Sequence, residues 1–221
     1  MQSLATPQER RGDLLRRQSI VAACRAMNAA GLNQGTSGNI SLRDCDGLLI
    51  TPTSLSYAAM EPADIVRMAA DGTAEGPRRP SSEWRFHRDI LRHRPDVQAV
   101  VHAHPVHCTA LALHGRGIPA VHYMVAIAGG ADVRCAPYAT FGTQALSDAA
   151  LAALDGRMAC LLAHHGLIAL GRSLDHALWM AEEIETLARM YLASLQLGEP
   201  PRLSDDEIQR VRAAMQGYAQ V

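Results

Sequence analysis

The sequence contains no lysine; all 21 of its basic residues are arginine. A Schiff base needs an amine nucleophile, and without lysine only the N-terminal amine remains. Enzymes that form lysine Schiff bases with carbonyl substrates, ordinary pyridoxal-phosphate enzymes and Walker A loops are thereby excluded together. Any carbanion chemistry must be stabilised by other means. Cysteines are few and scattered (Cys24, Cys45, Cys108, Cys135, Cys160), odd in number and without a C-x-x-C pair. They argue against a disulfide framework or a cysteine zinc site and read as core thiols and surface residues. No apolar run approaches the length of a membrane span; Met158 to Ala163 is typical. The first residues lack the apolar segment of a signal peptide, so the cytoplasm is expected. A net charge of −1 gives no pull toward nucleic acid or a membrane surface. No internal repeat or low-complexity segment is present.

What is present is an ordinary globular balance over 221 residues, the size of one domain spanning 1–221. Its core is expected over about 14–200, with a C-terminal helix at 204–218 contributing to the site. Pro7 to Ala30 is helical in pattern and ends at Gly31. Strands are expected at Asn39–Arg43 and Leu48–Thr51, joined by a turn through Asp46-Gly47, and at Ile65–Met68. A helix starting at Ser81 or Ser82 runs to about His93, followed by a buried strand Val97–His104 and a short helix Val106–His114. Val133–Ala136 is a further strand and Thr143–Leu154 a helix. Met158–His164 pairs with Leu167–Leu170 across His165-Gly166. Ser173 caps a long amphipathic helix whose apolar stripe includes Ala177, Ala181, Ile184, Ala188 and Tyr191. Ser204 and Glu207 form a capping box before the last helix. Short turns between neighbouring strands imply a mostly antiparallel sheet flanked by helices.

The ten histidines are unevenly spread. His102 and His104 end a strand, and strand alternation projects both from one face, about 7 Å of rise apart. Two such imidazoles can share one zinc-like ion. A second cluster, His164-His165-Gly166, also ends an apolar strand and offers a third imidazole, from either histidine. Three neutral histidines leave a metal its charge and an open position, the mark of a catalytic site. Glu83, at a helix start, could be a fourth ligand, a general base or a charge favoured by the helix dipole. Three hydroxyl-rich segments complete the pattern: Gly35–Asn39, Thr51–Ser54 and Ser81-Ser82. Together they could cradle a phosphate with neutral donors, which suits a chain without lysine.

The blocks GLNQGTSGNIS (31–41), LLITPTS (48–54), SSEWRFH (81–87), AVVHAHPVHCTAL (99–111), IPAVHYM (118–124), CAPYATFGT (135–143) and LLAHHGLIA (161–169) closely resemble the class II aldolase and adducin family. The likeness is to its L-fuculose-1-phosphate aldolases and runs from about Leu14 to Tyr218. It implies a three-layer α/β/α domain around a mixed, largely antiparallel sheet. By the resemblance the metal ligands are His102, His104 and His165, with Glu83 both a metal neighbour and the acid/base. The ion implied is Zn²⁺, or Mn²⁺ or Co²⁺, one per subunit. Gly38, Asn39, Thr53, Ser54, Ser81 and Ser82 match phosphate-contacting positions; Ser54 stands where fuculose-phosphate enzymes have glycine. Tyr123 and Tyr218 match tyrosines that approach the aldehyde, and Phe141 is expected to shape its pocket. The implied assembly is a homotetramer with sites between subunits, acting on a small phosphorylated sugar. An epimerase, decarboxylase or dehydratase would use nearly the same metal site. A non-catalytic adducin-like module would have no use for it.

Overall fold

The computed structural model describes residues 6–218, with side chains described as far as 215. The first helix, α1 (Pro7–Ala29), opens with a capping box between Thr6 and Glu9 and with proline at its first position. Strands β1 (Asn39–Asp44) and β2 (Gly47–Ile50) form the expected hairpin, followed by β3 (Val66–Ala69) and a short β4 (Ala74–Glu75). Helix α2 (Trp84–His93) leads to β5 (Ala99–Ala103), α3 (Val106–Leu113) and the two-residue β6 (Ile118–Pro119). Then come β7 (Asp132–Ala136), α4 (Gln144–Ala153), β8 (Ala159–Leu162) and β9 (Gly166–Gly171). The chain closes with α5 (Leu174–Ser194) and α6 (Asp205–Tyr218).

All nine strands among the described residues join one sheet in the order β4-β3-β2-β1-β5-β9-β8-β7-β6. Only β7 and β8 run parallel, because α4 carries the chain back across the face between them. The expected mixed, largely antiparallel sheet is therefore found. Period-2 alternation sorts the sheet's side chains into two cores. Ala99, Val101, Leu167 and Ala169 pack with α1, α3 and α5, whereas Val100, Ile168 and Leu170 pack with α2 and α4. Both faces being covered, β5, β8 and β9 are buried throughout. The result is the α/β/α sandwich that the resemblance implies.

Three departures are local. The α2 helix begins at Trp84, with Glu83 at the N-cap, rather than at Ser81 or Ser82. β4 and β6 are two residues each, too short for periodicity to register. Residues Tyr123–Ala128 form a 3₁₀ helix whose apolar run carries no helical signature. Arginine serves structural ends that a lysine could not: the Arg43 guanidinium donates to the carbonyls of Leu91, Arg94 and Val97 and closes the C-terminus of α2. Among the described residues no helix is long and apolar enough to cross a membrane.

Candidate active site

Strand register explains why Glu83, His102, His104 and His165 meet. Asn39 on β1 lies opposite His102 on β5, and Ala103 lies opposite Leu167 on β9. β9 therefore starts beside the end of β5, and its preceding residue, His165, reaches His104. Two glycines permit the approach. A Cβ on Gly166 would stand 2.5 Å from the Ala103 carbonyl oxygen and 2.8 Å from His104 Cδ2. One on Gly38 would stand 2.7 Å from the His102 carbonyl oxygen. The Tyr57 hydroxyl donates to the Gly38 carbonyl and fixes that turn from behind.

The three imidazoles present nitrogens that all lie within 4.8 Å of one another. His102 Nδ1–H donates to the Leu167 carbonyl at 2.9 Å, which leaves its Nε2 lone pair aimed into the cluster. His102 and His104 Nε2 are 3.0 Å apart. Glu83 sets Oε2 3.2 Å from His102 Nε2 and Oε1 3.3 Å from His165 Nε2. Those separations approach the edge, about 3.3 Å, of a tetrahedron with ~2.0–2.1 Å metal bonds.

The electrostatics agree. Burial, reinforced by the neighbouring imidazoles, pushes His104 down to about 3 and His165 down to about 4, so both are neutral at neutral pH and able to act as ligands. Burial opposes ionisation of Glu83, but His102, His165 and the Asn39 amide outweigh it and hold the carboxyl well below the usual carboxylate range. Glu83 Oε1 is buried without a hydrogen-bond partner among the described residues. A neutral acceptor so orphaned costs about 1–3 kcal/mol, and a charged one more. A divalent cation held by His102, His104 and His165 answers that deficit. The donor set of three clustered imidazoles beside a carboxylate fits such an ion and leaves a position open.

His164, the alternative neighbour, lies outside the triad. It takes a left-handed backbone (φ 56°) and stacks edge-on with Tyr138, its ring centroid 5.9 Å away. Sequence alone could not choose between adjacent histidines at a strand end; the turn into Gly166 does.

Above the triad opens a cavity of about 380 Å³. Glu83, His104 and His165 line its floor, and Gly38, Asn39, Thr53, Ser54, Ser81 and Ser82 line one wall. None of its described lining residues is an arginine. The wall's three segments are stitched together by backbone bonds. Ser81 N–H donates to the Thr51 carbonyl, Thr51 N–H to Ile40, and Thr53 N–H to Arg79. Ser54 adopts φ 57°, the left-handed conformation that glycine accepts freely. Tyr138, Phe141 and His164 also line the cavity, with Tyr138 and Phe141 more than half exposed.

Tyr123 is half-exposed on the 3₁₀ turn and does not line this cavity. Tyr218 ends α6, and its side chain lies outside the described residues.

Two residues that the sequence reading passed over, Ser41 and His87, sit behind Glu83. Ser41 Oγ is 2.7 Å from His87 Nδ1, and His87 Nε2 is 2.5 Å from Asn39 Oδ1. Asn39 Nδ2 in turn donates to Glu83 Oε2 at 2.9 Å. Asn39 thus lines the cavity with its side chain committed to Glu83 and His87. A signal existed: Glu83 and His87 are four apart at a helix start, and alternation puts Asn39 and Ser41 on one strand face. His87 is fully buried, and burial first, then His102, pushes it down to about 3.

The Class II Aldolase and Adducin N-terminal domain family matches residues 18–192. The chain is similar to a 5-methylthioribulose-1-phosphate/5-deoxyribulose-1-phosphate aldolase of Rhodospirillum rubrum, 55% identical over 91% of each chain. It is 51% identical to the L-fuculose phosphate aldolase of Escherichia coli, over 91% of this chain and 94% of that one. A solved L-fuculose 1-phosphate aldolase superposes with a TM-score of 0.88 at 37% identity, covering 90% of this chain and 95% of that one.

Proposed function

The chain belongs to the class II aldolase and adducin family, and from that premise we propose that it reversibly cleaves a ketose 1-phosphate to dihydroxyacetone phosphate and a small aldehyde. The observation that carries the reading is the His102–His104–His165 triad with Glu83 on the floor of a hydroxyl-walled cavity. The substrates favoured are L-fuculose 1-phosphate and the 5-deoxy- or 5-methylthio-pentulose 1-phosphates, after the relatives' activities. The ion proposed is zinc, or manganese or cobalt, one per subunit, held by His102, His104 and His165. When bound, it supplies the positive charge that stabilises the carbanion character developing on the ketone half.

The chain's own residues do the rest. Hydroxyls and backbone N–H groups of Gly38, Thr53, Ser54, Ser81 and Ser82 anchor the phosphate and so orient the reacting carbons. In the synthetic direction, the ionised Glu83 removes a proton from C3 of dihydroxyacetone phosphate, and C3 attacks the aldehyde carbon. The aldehyde oxygen takes a proton from Tyr123; cleavage runs the same steps backwards. Tyr123 is half-exposed, and the reading includes a homotetramer in which a neighbouring subunit delivers it, with Tyr218 proposed to act at the aldehyde end. Phe141 and Tyr138 face the aldehyde's tail.

The test is a panel of ketose 1-phosphates, with dihydroxyacetone phosphate read by a coupled reductase. Release from at least one, abolished by chelation and restored by zinc, cobalt or manganese, is expected. Loss of ketose by isomerisation, with no triose released, would replace the aldolase by an epimerase.

A further inference from the structure

We propose that Ser41, His87 and Asn39 form a one-way hydrogen-bond chain that pins Oε2 of Glu83 and leaves Oε1 as the oxygen that moves the proton. The inference rests on the reading of Glu83 as the proton-transfer group.

The direction of the chain follows from Glu83 outward. An ionised carboxylate only accepts, so Asn39 must face it with its NH₂ group. The Asn39 carbonyl then faces His87 at 2.5 Å, and a carbonyl also only accepts. His87 Nε2 must therefore carry the ring proton. A neutral imidazole has one donor and one acceptor, so Nδ1 accepts and the Ser41 hydroxyl donates to it. Every polar atom of the chain is used once, and none of its side chains is more than a few percent exposed.

The consequence falls on the two Glu83 oxygens. Oε2 receives the Asn39 amide and faces His102, while Oε1 faces His165 Nε2 at 3.3 Å and has no hydrogen-bond donor. A carboxylate free to rotate would present either oxygen and lose time in unproductive orientations; here the far end of the chain, anchored on β1 and α2, holds one rotamer. Ser41, His87 and Asn39 are thus positioning residues, not catalytic ones. His87 touches neither cavity nor triad nitrogens, but its ring fixes which way the Asn39 amide points.

The first test needs no activity. In protein stripped of metal by chelation and labelled with ¹⁵N-histidine, His87 is expected as the Nε2–H tautomer, with a ring N–H that exchanges slowly with water. The Nδ1–H tautomer would reverse every bond, turn the Asn39 carbonyl onto Glu83 and overturn the proposal.

The second test separates positioning from folding. His87→Leu should lower kcat by about 10- to 100-fold, with KM and metal content within about twofold of the parent. His87→Gln, which restores an N–H toward Asn39, should recover most of that loss. A loss that appears in KM or metal content, or a Gln variant no better than Leu, overturns it. Should His87→Leu fail to fold, Ser41→Ala gives the same kcat-only signature more weakly, and an unchanged kcat there counts against the chain. In a Glu83→Ala background, His87→Leu should cost nothing further. If Glu83→Ala alone leaves cleavage intact, the functional reading fails, while the tautomer still shows whether the chain exists.

Discussion

Glu83 occupies an N-cap position, where its charge could have been nothing more than a favourable partner of the helix dipole. Its burial among His102, His165 and Asn39 argues for a chemical task, because a dipole partner has no need to leave water. Glu83→Gln keeps the shape, so metal should stay on the three imidazoles while turnover falls by about 10²–10⁴. Metal content and cleavage rate on one preparation check this; a loss of only a few tenths of a kcal/mol in stability with intact turnover would restore the dipole reading. Neighbouring histidines divide just as sharply. His165→Ala should abolish stoichiometric metal, whereas His164→Ala, whose ring points to Tyr138, should retain it. Elemental analysis decides, and the reverse order would reassign the ligand. Ser54 illustrates a residue held against its preference: a left-handed non-glycine residue costs about 1–2 kcal/mol. Ser54→Gly should therefore raise stability by about 1 kcal/mol, or about 2–4 °C in Tm, and a thermal scan showing a fall would mean that the Ser54 hydroxyl contributes more than its strain.

At the scale of elements, the site depends on where β9 begins. β5 and β9 are side by side because both are buried on two faces, and their register places the His165 turn over the end of β5. Gly166 is the residue that lets this happen. Gly166→Ala drives a Cβ into the Ala103 carbonyl and the His104 ring, and backbone cannot retreat as a flexible side chain would. We expect about 1–3 kcal/mol of destabilisation from the overpacking, measured by urea unfolding, together with weakened metal retention. Full metal occupancy in a destabilised variant would show that the triad tolerates the shift. Helix α3, which follows His104 and Pro105, is anchored separately: Glu185 on α5 accepts from the N–H groups of His107 and Cys108 and from the His107 ring. A carboxylate at a helix N-terminus suits the dipole there, and it ties the segment that leaves β5 to α5 within the same helical layer.

At the scale of the molecule, the buried imidazoles couple stability to pH. Unfolded histidines protonate near 6.5, whereas His87 and His104 resist to about 3 and His165 to about 4. Between those values the unfolded chain binds more protons than the folded one, so stability rises with pH. Their contribution is present above about pH 6.5 and is lost as pH falls toward 4. Metal-free protein should show a urea midpoint that drops between pH 7.5 and 5; a flat profile would mean that the cluster accepts protons in the fold.

The division between sequence and tertiary structure follows from the range of the forces involved. The absence of lysine, the alternation that puts His102 and His104 on one face, and the hydroxyl clusters at chain turns are local facts, legible in the sequence. Apolar periodicity likewise marks α1, α5 and the central strands, because burying a face imposes its own spacing. In α5 even the stripe was legible, although Met180 and Leu187 join it in the structure. Short strands such as β4 and β6 leave too few residues for a period, and the parallel pairing of β7 with β8 follows from the crossover through α4, not from either strand's composition. The choice of His165 over His164 depends on a left-handed backbone at His164 and on Gly166 lying against β5. The chain from Ser41 to Glu83 joins residues 42 positions apart through hydrogen bonds that exist only once β1 and α2 are packed together. Which atoms donate along it is decided by the fold, because only burial removes the water that could otherwise satisfy each group either way.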